Sequence, residues 1–148
     1  METTLSKSQE IHLLLKYLLR TGASLEKSGN RILNEFELNQ QQFIVLNEIK
    51  RKKSITANEI VVELGYEKSN ISKTVKKLKS LEYIETESNP DDKRIIQVNI
   101  TKAGTQIWKK CIHKMERENN TLFEDIDLED ITVMKEYVYK ISEIILKK

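Results

Sequence analysis

Residues Thr56 to Arg94 place two short helices, a glycine turn and a hairpin end to end with no linker between them, and this order constrains the fold more than any other feature. Thr56-Ala57-Asn58-Glu59 opens the first helix. The threonine hydroxyl can accept a backbone N–H, and the glutamate three residues on can reach back to the cap. Ile60 and Leu64 lie one turn apart, with Val61 widening the apolar face. Gly65 then supplies the left-handed conformation that ends the helix and turns the chain. A second helix is predicted from Lys68 to about Leu81, held to a core by Ile71, Val75 and Leu78 at helical spacing.

That anchoring decides what faces outward. At about 100° per residue the opposite face carries Ser69, Lys73, Lys76, Lys77 and Ser80. No aspartate or glutamate lies between Lys68 and Lys79, so the five lysines there have no local counter-charge, and such a face attracts phosphate. Taken alone, a lysine-rich helix is usually just a solvated surface. Its position after a glycine turn and before a hairpin makes it the second helix of a winged helix-turn-helix, which lies in the DNA major groove with its N-terminal residues at base edges. Ser69, Asn70 and Lys73 then read bases: Asn70 can bond adenine bidentately, and Lys73 can reach guanine O6 and N7. Lys68, Lys76 and Lys77 complete the DNA-contacting set, the latter two as phosphate contacts that carry affinity rather than sequence choice.

After Tyr83-Ile84 the chain alternates Glu85, Thr86, Glu87 and Ser88. Beyond a turn, Ile96, Val98 and Ile100 alternate with Gln97 and Asn99. Period-two patterning predicts two half-buried strands forming a wing over residues 83–100. Asn89-Pro90-Asp91-Asp92 joins them, and Pro90 is the single proline of the chain. The tip presents Lys93 and Arg94, and an arginine at a loop tip can enter a narrow minor groove. Asp92, which repels phosphate, is read as the positioner of Arg94. An isolated D-x-R pair would be an exposed ion pair of little energetic consequence.

Leu64-Gly65, the run Ser69 to Leu78, and Asp92-x-Arg94 followed by Val98-x-Ile100-Thr101-x-x-Gly104 resemble the MarR family of bacterial transcriptional regulators. The resemblance covers essentially the whole chain and is specific from about Ser54 to Gly104. Two positions depart from it: Glu67 stands where the family commonly has serine, threonine or aspartate as N-cap, and Ile100 replaces the usual leucine before Thr101. The resemblance implies a homodimer bound to operator DNA, and release by a small aromatic or phenolic ligand entering a cleft between the dimer helices and the DNA-binding lobe. Arg20, His12 and Trp108 are the candidates to line such a cleft.

The expected fold is mainly α with a small β-hairpin wing, one unit spanning 1–148. Within it 1–36 and 122–148 are dimerisation helices, 54–100 is the winged helix-turn-helix, and 56–80 is the helix-turn-helix proper. The flanks support this division. Ile11, Leu14, Leu15, Leu18, Leu19 and Leu25 near one end, and Ile131, Met134, Val138, Ile141 and Ile145 near the other, form apolar stripes wider than a monomer of this size can cover. Asp127 is placed to cap the last helix. Asn39 opens a further helix carrying Phe43, Val45, Leu46 and Ile49, and another starts at Thr101 and carries Ile107, Trp108, Cys111, Ile112 and Met115. The net charge of +2 is unremarkable, but its distribution is not: residues 1–49 sum to −1, 50–112 to +6 and 113–148 to −3. Positive charge is concentrated where the motif lies.

The apolar run Leu13 to Leu19 is interrupted by Lys16 and far shorter than the ~20 residues a bilayer requires. With no signal-peptide pattern, a cytoplasmic protein without membrane contact is expected. There is no glycine-rich phosphate loop and no nucleophile elbow, so no enzyme activity and no cofactor is expected. Cys111 and His113 are two apart on a helix and point to different faces, which argues against a shared metal. Lys109 and Lys110 beside Cys111 could lower its pKa, against which stands the reading of a buried, inert thiol. The expected function is a sequence-specific DNA-binding regulator, a repressor on a pseudo-palindromic operator. The alternative is a winged-helix protein-interaction module without operator specificity.

Overall fold

The computed structural model describes residues 4–147. Six α-helices, one 3-10 turn and a three-stranded sheet follow in the order α1 (Lys7–Leu33), the 3-10 turn (Asn34–Phe36), α2 (Gln40–Lys52), β1 (Ser54–Thr56), α3 (Ala57–Leu64), α4 (Lys68–Ser80), β2 (Ile84–Ser88), β3 (Ile96–Ile100), α5 (Lys102–Leu122) and α6 (Leu128–Leu146).

Local chemistry fixes most of these boundaries. Asn39 and Thr56 each accept a backbone N–H from the third residue of their helix, and Gln42 and Glu59 reach back to complete capping boxes. Asp127 caps α6 through the amide of Asp130 at 2.9 Å. Gly65 ends α3 with φ +64°, as the turn into α4 requires. Thr101 does two things at once. Its hydroxyl accepts the Gly104 amide at 2.9 Å to start α5, and donates to the Glu82 carbonyl at 2.7 Å, holding the left-handed turn at Glu82 (φ +60°) between α4 and β2.

The sheet is antiparallel in the order β1-β3-β2, with Ile55 opposite Val98 and Thr86 opposite the same residue on the other side. The hairpin expected from period-two patterning is present, and β1 adds a third strand that the sequence pattern did not disclose. Ile55, Ile84 and Val98 turn into a core with Leu46, Ile49, Ile60, Ile71 and Leu78. This core pins α4 by one face, so the opposite face must project. The apolar stripes of the chain ends take no part in it. No described residue of α6 is buried, and Ile11, Leu14, Leu19, Val138 and Ile145 are all exposed. The C-terminal end of α6 reaches the helix-turn-helix through Leu146, which lies against Gly65. Among the described residues no helix is long and apolar enough to cross a membrane.

Candidate nucleic-acid interface

Ile71, Thr74, Val75 and Leu78 are the buried residues of α4, one continuous stripe. Ser69, Asn70, Lys73, Lys76 and Lys77 are all exposed, as is Lys68 at the first helical position. Helical geometry divides them. Ser69, Lys73, Lys76 and Ser80 centre on the outward line, Lys68 and Lys79 lean to one side, and Asn70 and Lys77 lean to the other.

Lys68 and Lys79 lean toward the wing. Lys68, Lys76, Lys79 and Arg94 line one groove of about 240 Å³ between α3, α4 and the hairpin, floored by Ile71, Val75 and Ile96, and no acidic residue lines it. Lys79 Nζ donates to Thr86 Oγ1 at 2.7 Å, so α4 and β2 are tied across this groove. Lys79 was counted in the sequence only as one more cation; its role as a strut had no sequence signal, because the partner lies on a different element.

The wing tip is built from short-range bonds. The Asn89 carboxamide accepts the Asp91 amide at 2.8 Å, and the Asn89 amide donates to the Ile95 carbonyl at 2.9 Å. Asp92 then accepts three bonds from Arg94: the backbone amide at 3.0 Å, Nε at 3.1 Å and a terminal nitrogen at 3.3 Å. The Arg94 side chain is nevertheless 91% exposed. Its guanidinium, followed by its backbone amide, holds the Asp92 carboxyl below the usual carboxylate range. Lys93 is exposed beside it.

The helix-turn-helix is braced from behind. Arg51, within the basic run 50–53, bonds the buried Glu48 carboxylate through two nitrogens at 2.6 and 3.2 Å and reaches Glu63 of α3 at 2.9 Å. Arg51 thus ties the end of α2 to α3. At 2.9 Å, Trp108 Nε1 donates to Asn47 Oδ1, and Lys50 sits over the ring, so this tryptophan joins α5 to α2 and is not a cleft wall. His12 is exposed on α1. Of the three cleft candidates only Arg20 lines an open cleft of about 720 Å³ between α1, α2 and α5 that also touches Tyr17, Leu25, Gln40, Met115 and Leu122.

Cys111 is fully buried, and burial, with Glu35 as a lesser cause, pushes its thiol up to about 11. The adjacent lysines do not activate it, because they are exposed on other faces of α5. His113 is exposed, and among the described residues no group of His, Cys, Asp and Glu could hold a metal.

Residues 36–95, from the end of the 3-10 turn to the wing tip, match the model of the MarR family. Over these residues the chain is similar to the MarR family. It is 21% identical over 133 residues to the uncharacterized HTH-type transcriptional regulator YsmB of Bacillus subtilis, over 90% of this chain and 91% of that protein. Among solved structures, the C80S mutant of MarR from E. coli complexed with operator DNA superposes with a TM-score of 0.79 at 21% identity, covering 93% of this chain and 99% of that one. The organohalide-sensing regulator RdhR-CbdbA1625 in its 2,4-dichlorophenol-bound form superposes with a TM-score of 0.81 at 15% identity, over 99% of this chain and 89% of that one. The curated relatives are described as HTH-type transcriptional regulators. Its winged helix, with six helices and a small antiparallel sheet, is the fold of those neighbours.

Proposed function

We propose that this protein is a homodimeric repressor that binds a pseudo-palindromic operator through residues 56–94. The observation that carries the reading is the groove in which Lys68 and Lys76 of α4 meet Arg94 of the wing with no acid between them. A continuous cationic surface spanning recognition helix and wing matches a duplex whose phosphates border both grooves. In this reading Ser69, Asn70 and Lys73 meet base edges in the major groove. Lys68, Lys76 and Lys77 neutralise phosphates, and Arg94, aimed by Asp92 and accompanied by Lys93, enters the neighbouring minor groove. The operator complex of the E. coli relative supports the same use of the fold.

Pairing through α1 and α6 supports the dimer. A 19-residue helix with no buried residue is not stable by propensity alone and needs a second apolar surface. A second copy supplies that surface twice over, and the two α4 helices then face half-sites about one helical turn apart. Any ligand that alters the distance between the two lobes weakens binding, because both half-sites must be engaged together. The cleft beside Arg20 is the candidate for such a ligand, and the dichlorophenol bound to the organohalide-sensing relative indicates a small phenol as the first chemistry to try.

Selection of binding sites from random duplex DNA tests the proposal. The expected result is one inverted repeat, bound by a dimer with a log–log salt slope of about −0.9 per phosphate neutralised. Recovery of no enriched sequence, with binding only to an acidic protein surface, would leave the interaction-module reading in its place. A strictly monomeric protein in sedimentation would remove the two-site mechanism.

A further inference from the structure

Between Thr56 and Ser80 the chain has three carboxylates, and two of them are occupied. Glu59 closes the capping box, accepting the Thr56 amide at 2.7 Å. Glu63 receives Arg51 at 2.9 Å. Glu67, the residue that precedes α4, makes no side-chain cap and no ion pair among the described residues. Its backbone carbonyl accepts the amides of Asn70 at 2.9 Å and Ile71 at 3.1 Å, which fixes where the residue sits, while its carboxylate is exposed.

A serine, threonine or aspartate at this position would fold back onto the helix's own N–H groups and be spent there. The longer glutamate is not spent. It stands at the leading end of α4, ahead of Ser69 and Asn70, as the one acid against five lysines on that helix. A negative charge there is repelled by phosphate and weakens contact with any DNA. It is compensated only where a base offers a donor. In the major groove that donor is the cytosine N4 amino group, whereas the adenine N6 amino group is flanked by the N7 acceptor, which repels a carboxylate.

We infer that Glu67 is a specificity-determining residue: its carboxylate accepts a hydrogen bond from cytosine N4 at one position of each half-site, and its charge disfavours binding elsewhere. The inference rests on the operator-binding reading above. It assigns the departure from the family's usual N-cap a role in sequence choice.

The test compares wild type, Glu67→Gln and Glu67→Ser on the selected operator, on its single base-pair replacements at every half-site position, and on random duplex. For wild type, replacing one C·G pair is expected to weaken binding by about 5- to 150-fold. Glu67→Gln should lose most of that discrimination at that position alone and bind random duplex more tightly. Glu67→Ser should melt at a higher temperature, because it can cap α4, yet lose the same discrimination and keep it at the other positions. Variants whose affinities change by one common factor for every base pair would overturn the inference. A wild type with no preference among duplexes would instead overturn the operator reading, and this inference with it.

Discussion

Lys79 on α4 and Thr86 on β2 are joined by a hydrogen bond of 2.7 Å from the ammonium to the hydroxyl. The bond is exposed, so its effect on folding is small, about 0.5–1 kcal/mol. Its consequence is geometric, because it sets how far the wing stands from the recognition helix. Thr86→Val removes the acceptor without touching the charge. We expect it to weaken operator binding a few-fold with an unchanged salt slope. Lys79→Met should weaken it at least as much, since it removes the same bond together with a cation that lines the groove. Titrations of both variants across a salt series check this, and a Thr86→Val protein with wild-type affinity would show that the strut does not position the wing.

Asp92 gives a prediction whose sign separates two accounts. Considered as charge alone, removing an acid from a DNA-facing tip should tighten binding. Considered as geometry, Asp92 holds Arg94 through three bonds, and Asp92→Ala should weaken operator binding nearly as much as Arg94→Ala. We expect the second. The Asp92 pKa is depressed in the folded protein, so its stabilising contribution is complete above the unfolded value of about 3.9 and is lost only as pH falls through the lowered folded value. Operator affinity measured between about pH 5 and 8 should therefore show no titration from this residue. Tighter binding by Asp92→Ala would reverse the assignment.

What could be read from the sequence was local. The caps at Asn39, Thr56, Thr101 and Asp127 and the left-handed Gly65 depend on residues three or four apart, and each stands where the pattern put it. The buried stripe of α4 follows from the same periodicity and fixes the exposed lysines without further information. The features that escaped are those whose partners are distant in sequence. Strand β1 is three residues long, with only Ile55 turned inward, too short to show a period. Its partner Val98 lies 43 residues away. Arg51 is indistinguishable from Lys50, Lys52 and Lys53 until Glu63 of α3 is brought to it. Trp108 could have been a cleft wall or a core residue, and the Asn47 carboxamide that decides the matter is 61 positions off.

Cys111 should be chemically silent in the native protein. Only the thiolate reacts at appreciable rates, and a buried thiol pushed up to about 11 holds almost none of it at pH 8. Alkylation with a small maleimide or iodoacetamide should proceed at the rate of global unfolding and accelerate in denaturant in step with loss of helical signal. Operator binding should be unchanged after mild oxidation. Cys111→Ser should fold less stably by about 1–3 kcal/mol, because a hydroxyl placed in this site finds no ready partner. Fast native-state labelling would show that the α5 packing opens far more often than a core site allows.

Gly104 and Gly65 predict different costs for the same substitution. At Gly65 an alanine would suffer the positive φ, about 1–2 kcal/mol, and would press on Leu146, an exposed side chain able to move aside. At Gly104 the new methyl would lie 1.9 Å from the Tyr83 carbonyl oxygen and 2.9 Å from Ile100 Cγ1. Backbone cannot rotate out of the way. To relieve the overlap the start of α5 must lift from the β2 side of the sheet, breaking the Thr101 amide bond to the Tyr83 carbonyl at 3.0 Å and the Thr101 hydroxyl bond to Glu82. We expect Gly104→Ala to cost about 3 kcal/mol, at the upper end of overpacking penalties, and Gly65→Ala less. Because α5 is the segment leading from the winged helix toward α6, Gly104→Ala should also lower operator affinity under conditions where the variant remains folded. Urea denaturation and operator titration of both variants check the order. A Gly104→Ala protein as stable as Gly65→Ala would mean that α5 is not seated on Tyr83 as described.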